Sequence, residues 1–269
     1  KSTTGKAILQ LPPPTGGRVV FDGTDLTALS GEDLRRTRTQ IQMIFQDPIS
    51  SLNPRRKVED IIAEGLTVWG IGTDDERQAK VDELMLAIGF DPAVQRGKRP
   101  HQFSGGQCQR ISIARAVATD PKLIICDEPV SALDVSVQAQ IINLLQDLQR
   151  AQGLAYLFIA HDLAVVEHIS HRVVVMYLGK VVETAESKAV VTAPKHPYTQ
   201  ALLSAVPVVD PDAKRQRIVL PGDVPSPINP PSGCPFHPRC PVAEARCKTD
   251  APTLREVSPG HFAACHLAK

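Results

Sequence analysis

Phe103-Ser104-Gly105-Gly106-Gln107 and, further on, Leu123-Ile124-Ile125-Cys126-Asp127-Glu128 are the two stretches that decide the fold. Serine and two glycines open a helix whose first backbone N–H groups have no partner inside it. A helix N-terminus of that kind favours an anion. The second stretch reads as a buried strand that ends in two adjacent carboxylates. An anion-binding turn and a strand-end acid pair together point to nucleotide phosphate and a divalent metal.

The chain has 269 residues, enough for one large α/β domain with a smaller appendage. Its net charge of +1 argues against a dedicated nucleic-acid binder, which concentrates basic charge on one face. Arg35-Arg36 and Arg55-Arg56-Lys57 are expected on solvated faces. No apolar stretch approaches the roughly 18 to 20 residues that span a bilayer, although docking on a membrane protein needs only a complementary surface. The start carries no secretory signal pattern. Lys1-Ser2-Thr3, with Thr4 and the apolar Ala7, Ile8 and Leu9 behind them, looks like the end of a Gly-x-x-x-x-Gly-Lys-Ser/Thr loop whose glycines lie upstream of residue 1.

Val19-Val20-Phe21 with Asp22-Gly23 reads as a short strand and turn, and Ser30-Gly31-Glu32-Asp33-Leu34 as a capped helix start. Ile41 to Gln46 is a compact strand stopped by Asp47-Pro48. Apolar residues from Val58 to Ile88 recur at helical spacing, with a break around 70–73. Beyond the signature turn the expected order is a helix from 107 to 118, a strand from 123, a helix from 135 to 152, a strand from 155, a helix to 169 and a strand over 172–177. Strand, helix and strand in that alternation predict a parallel sheet flanked by helices.

These elements resemble the nucleotide-binding subunit of ABC transporters over nearly the whole chain, with Phe103 where leucine is common. The resemblance implies an α/β P-loop NTPase fold of the ABC type, truncated at its N-terminus. An ATPase domain would span 1–190, with a helical signature subdomain at about 55–120, and a small Cys-rich extension would follow over 191–269. It further implies ATP and Mg²⁺ as ligands. Lys1, Ser2 and Thr3 would hold phosphates, with Ser2, Gln46 and Asp127 around Mg²⁺. Glu128 would polarise the attacking water and His161 would orient it. Ser104, Gly105, Gly106 and Gln107 would close over nucleotide held by the opposite subunit, and Asp134 would lie in the dimer-contact loop. Each site would then need both halves of a dimer.

The six cysteines divide in two. Cys108 and Cys126 sit singly in apolar surroundings, as small buried thiols do. Cys234, Cys240, Cys247 and Cys265 share one Pro-rich tail, from 221 to 269, with too little apolar periodicity for a core of its own. Four such thiols suit two disulfides, a zinc site or an iron–sulfur cluster, and gaps of 5, 6 and 17 residues lack the Cys-x-x-Cys knuckle common in zinc sites. The tail resembles the extension of oligopeptide and dipeptide importer ATPases, as do Pro194, His196, Pro197, Tyr198, Leu202 and Leu203. That resemblance implies a [4Fe-4S] cluster, with Zn²⁺ as the alternative. His237 and His261, nearby, read as ordinary polar residues.

The expected function is ATP hydrolysis that powers peptide import, at the cytoplasmic face of a bacterial membrane. The implied partners are a second ATPase subunit, as a heterodimer in preference to a homodimer, two transmembrane permeases and an extracytoplasmic substrate-binding protein, with no nucleic acid. Nickel or glutathione import is the nearest alternative. A DNA-associated ATPase is more distant, because no stretch carries sustained coiled-coil heptads.

Overall fold

A computed structural model of the chain describes residues 1–206 and 217–269. They form two compact units, Lys1–His161 and Asp162–Lys269.

In the first unit three short apolar strands make a parallel sheet in the order β3 (Ile41–Ile44), β4 (Leu123–Asp127), β5 (Ala155–Ile159). The central strand is the most deeply buried, with Ile124, Ile125 and Cys126 closed to solvent, as expected of a run that is apolar on both faces. α1 (Ser2–Ile8) lies against it through Gly5, where a Cβ would come within 3.0 Å of Ile125 and 3.3 Å of Ile159. β1 (Val20–Phe21) and β2 (Thr24–Asp25) form a hairpin on Asp22-Gly23, whose φ angles of 48° and 78° suit a primed turn. α2 (Gly31–Thr37) follows Ser30, but the serine side chain makes no capping bond.

The segment read as helical from 58 to 88 is three helices, α4 (Val58–Ile62), α5 (Glu64–Trp69) and α6 (Asp74–Ala87). The expected break falls where Gly70 ends α5 in the left-handed region, at φ 63°, and Thr73 with Glu76 closes a capping box on α6. After the short α3 (Pro48–Ser51) and α7 (Pro92–Gln95) comes α8 (Gly105–Val117), which buries Cys108, Ile111, Ile113, Ala114 and Val117. α3 and α4 both pack on α8. α9 (Val135–Gln152) then leads back to β5 and ends on Gly153, also left-handed.

The second unit departs from the expected alternation. After α10 (Leu163–Ile169), β6 (Arg172–Tyr177) does not extend the parallel sheet. It pairs antiparallel with β7 (Lys180–Glu186) in a sheet ordered β6-β7-β9-β8. The two-residue turn Leu178-Gly179, both at positive φ, makes that hairpin locally. α11 (Ser187–Thr192) and α12 (Pro197–Ser204) follow, and the tail returns to supply β8 (Arg255–Ser258) and β9 (His261–Ala263). The Pro-rich tail therefore does not stand alone. Phe236 is fully buried with Cys234 and Cys247 against Val173, Val175, Tyr177 and Val182. Its ring meets Tyr177 edge-on at 5.2 Å and Tyr198 at 5.4 Å.

At the centre of this unit Glu183 is closed to solvent. Its carboxylate accepts from the backbone of Lys195 at 2.7 Å and His196 at 2.9 Å, and lies 2.7 Å from His261 Nε2. Three partners satisfy a charge that would otherwise be costly to bury. His196 is itself buried, and its Nδ1 accepts from the Tyr198 backbone at 3.1 Å, capping α12.

Burial lowers the pKa of His196 from 6.5 to about 4, against a smaller upward pull from Glu183. Between those two values the unfolded chain binds more protons, so this contribution is intact above about pH 6.5 and is lost as pH falls toward 4, by up to roughly 3 kcal/mol. Urea denaturation at pH 7.5 and pH 4.5 should therefore show a smaller acid-dependent loss of stability for His196→Asn than for the parent. Equal losses in the two proteins would remove His196 as a cause.

Candidate nucleotide site

The carboxyl ends of β3, β4 and β5 meet at one edge of the parallel sheet, the place where open α/β sheets take ligands. Asp127, the last residue of β4, is only 4% exposed. It accepts a hydrogen bond from Ser2 Oγ at 2.9 Å, and no cationic side chain pairs with it among the described residues. Glu128 follows at φ 50°, a strained backbone for a side chain of its size. Its N–H donates to Ile159 O at 2.9 Å, and the Ser131 hydroxyl donates to its carbonyl at 3.1 Å, so the neighbouring strand and loop hold the strained residue in place.

The side chains gather around that acid. Gln46, two residues beyond β3, donates through Nε2 to Glu128 Oε2 at 3.2 Å. His161, just beyond β5, places Nδ1 3.3 Å from the same oxygen. Lys1 reaches Ala160 O through Nζ at 2.6 Å, and Thr3 lies exposed in the first turn of α1. Gln46, Asp127, Glu128, His161, Lys1 and Ser2, scattered over 161 positions, thus form one group.

The signature turn is a separate structure. Ser104 caps α8 by accepting from Gln107 N at 3.3 Å, and Gln107 Oε1 accepts from Ser104 N at 2.9 Å. This is a capping box of serine and glutamine. No hydrogen bond or ion pair among the described residues joins it to the Glu128 group. Asp134 caps α9 by accepting from Val137 N at 3.0 Å, and Gln138 Nε2 donates to Leu133 O at 2.9 Å. Cys108 is buried with its thiol on Pro100 O, and burial pushes the Cys126 thiol far up, so both are packing residues.

The tail cysteines line one pocket in the second unit, together with His196, Phe236, His237 and His266. All four are free thiols, and the disulfide reading has no support here. Among the described residues no three His, Cys, Asp or Glu side chains converge as a metal-holding group. The thiols are nevertheless close enough to interact. Burial raises the Cys234 pKa; the Phe236 N–H opposes this, while Cys247 and Cys265 add to it. Cys240 is raised by burial and opposed by the Val242 N–H, and Cys265 Sγ accepts from Leu267 N at 3.4 Å. His237 is tied to Cys234 O at 2.9 Å and His266 to Asp250 O at 3.0 Å. A Cβ on Gly233 would lie 2.5 Å from Cys247 O, and Cys234 N donates to that same oxygen at 2.9 Å. The two cysteine-bearing loops are therefore locked backbone to backbone.

Residues 1–131 match the ABC transporter family, and residues 182–247 match the oligopeptide/dipeptide transporter C-terminal region. A protein of Bacillus subtilis, the oligopeptide transport ATP-binding protein AppF, is 54% identical over 270 residues, which is 99% of this chain and 82% of AppF. This chain belongs to the ABC transporter ATPase family. A Brucella ovis protein named as a peptide import ATP-binding protein is 53% identical over 98% of this chain and 83% of its own length. Among solved structures, cbiO1 from Clostridium perfringens, part of the transporter complex cbiONQ, aligns with a TM-score of 0.64 at 28% identity. It covers 70% of this chain and 73% of that one. The dimeric ATP-binding cassette MJ0796 bound to ADP and Pi aligns with a TM-score of 0.62, also at 28% identity, over 69% and 80%.

Sequence reasoning did not single out Arg110, Val137 or Glu183. Arg110 and Val137 fall inside stretches read as helical, and Glu183 belongs to no motif, so none carries a local signal of the partners that the fold brings to it. Asp134 has a structural role that can be separated from any functional one. Asp134→Ala should cost about 1 kcal/mol through loss of the α9 cap, and Asp134→Asn much less. Chemical denaturation of the two variants checks this, and equal stabilities would show that the cap contributes nothing.

Proposed function

We propose that this ATPase powers the import of peptides as a peripheral subunit on the cytoplasmic face of the membrane, docked on two permeases that are fed by an extracytoplasmic substrate-binding protein. The observation that carries the reading is the convergence of Gln46 and His161 on Glu128 beside the buried Asp127. Similarity to the peptide import proteins along almost the whole chain supports the cargo class. No helix of the described residues is long and apolar enough to cross a membrane. The functional division follows the motifs, with ATP handled by residues 1–190, through a helical signature subdomain at about 55–120, and an importer extension over 191–269.

The residues present fit Mg²⁺. Asp127 is a nearly buried carboxylate partnered by a hydroxyl, and Gln46 uses its amide nitrogen on Glu128, leaving Oε1 without a donor among the described residues. Ser2, Gln46 and Asp127 would hold the ion, which when bound neutralises phosphate charge. Lys1 binds the β and γ phosphates, and Thr3 donates to the α/β side. Glu128 accepts a hydrogen bond from the attacking water through Oε1, since Oε2 already faces Gln46 and His161. His161 orients that water and meets the γ-phosphate. Ser104, Gly105, Gly106 and Gln107 close over nucleotide bound to a second ATPase subunit, with Asp134 at the contact between subunits and a heterodimer as the favoured assembly. In the purified importer Glu128→Gln should lower turnover by about 10² to 10⁴ while nucleotide binding persists. Turnover close to the parent would overturn the role of Glu128. Permeases and a peptide-loaded binding protein should co-purify from native membranes. A nickel- or glutathione-loaded binding protein instead would change the cargo and leave the ATPase.

We further propose that Cys234, Cys240, Cys247 and Cys265 hold a structural [4Fe-4S] cluster. The shared pocket, the backbone N–H groups turned toward three of the sulfurs and the locked loops support this reading, because N–H donors stabilise thiolates that would otherwise repel. Anaerobically purified protein should contain about four iron and four sulfide per chain, and Cys247→Ser should lower both iron content and melting temperature. One zinc per chain and no sulfide would establish the zinc alternative.

A further inference from the structure

The two glycines of the signature turn are small for different reasons. A Cβ built on Gly105 meets nothing within 4 Å. A Cβ on Gly106 would lie 2.6 Å from Val137 Cγ1 and 3.7 Å from Val137 Cβ. Valine is short and stiff at χ1, so it cannot swing away as a long side chain would. Real Cβ contacts are not that close, and either α8 or α9 would have to shift. Val137 is also the residue whose N–H is held by Asp134.

One turn further along α8 the same pair of helices is tied again. Arg110 Nη2 donates to Gln140 Oε1 on α9 at 2.6 Å, and Nη1 donates to Ile88 O at the end of α6 at 3.1 Å. Gly89, at φ 78°, admits that guanidinium, since a Cβ there would lie 3.0 Å from Nη1. Gly106 and Arg110 are four apart and share one face of α8, as Val137 and Gln140, three apart, share one face of α9.

We infer that Val137, seated in the gap left by Gly106, is a positioning residue that makes the signature turn and the Asp134 loop one rigid body, with the Arg110–Gln140 bond as its second fastening. Gly105 is then the glycine whose open side faces the partner's nucleotide, and Gly106 is glycine for the sake of its own chain. The inference rests on the proposal that this turn closes over nucleotide held by a second subunit. The two helix starts that reach the second subunit move together, and closure delivers Ser104 and Asp134 in fixed register.

A double-mutant cycle tests the seam in the purified importer. Gly106→Ala should lower kcat at least about tenfold, and Val137→Ala added to it should restore most of that loss. Gly105→Ala should not be rescued by Val137→Ala. A double variant no better than Gly106→Ala, or a Gly106→Ala protein with parental kcat, would overturn the inference. The same cycle read by thermal melting without nucleotide should also be non-additive, and an additive cycle would overturn it as well. A parent importer without ATP turnover would sink the function proposed above, and the melting cycle would still decide the seam. If Gly106→Ala does not fold, Val137→Leu gives the converse test, a larger side chain pressed on Gly106. Lower kcat at unchanged ATP affinity supports the seam, and parental kcat refutes it.

Discussion

Burial of β4 is the constraint on which the first unit depends. Three of its residues are closed to solvent between β3 and β5, and α1 can approach them because Gly5 offers no side chain. Such a strand must end in polar residues where the sheet ends, and the polar residues here are Asp127 and Glu128. The same ladder brings Gln46 and His161 to the neighbouring strand ends. The site is therefore a product of strand register: Ile44 lies opposite Cys126, and Asp127 opposite Ile159. A slip of one residue would put a carboxylate in the core and pull the other groups out of reach.

Much of this was legible in the sequence. Apolar runs of strand length, the Ser-Gly-Gly turn and the break around 70–73 are local signals, and local signals place local elements. The helices at 105–117 and 135–152 and the three parallel strands came out close to their read positions. Sequence failed where pairing is decided at long range. The run 172–177 has the same apolar character as 123–127, and nothing within it says which strand will lie beside it. The turn at Leu178-Gly179 decided for a hairpin. The packing of the tail was not legible for a related reason. Its few apolar residues cannot make a core, but Phe236 needs only the wall that Tyr177 and Tyr198 already provide.

The candidate site was legible residue by residue, but its internal contacts were not. A motif names Glu128 without showing that its carboxylate is held by Gln46 and His161 through one oxygen. Nor does it show that Ser104 and Gln107 satisfy each other, which leaves the turn ordered on its own. Glu183 is the opposite case, a charged residue that no motif in the sequence marks. It is buried because His261 and the start of α12 come to it from distant parts of the second unit.

The left-handed backbone at Glu128 has an evolutionary consequence. Holding a residue of this kind in that region costs on the order of 1 kcal/mol or more, offset here by the bonds to Ile159 and from Ser131. Glycine at 128 would relieve the strain, and asparagine would tolerate it, so the most readily stabilised versions of this loop are those without the acid. On the role proposed for Glu128, selection for thermostability alone would drift toward inactive loops. A screen for robust variants of this protein therefore needs an activity filter at this position before any other.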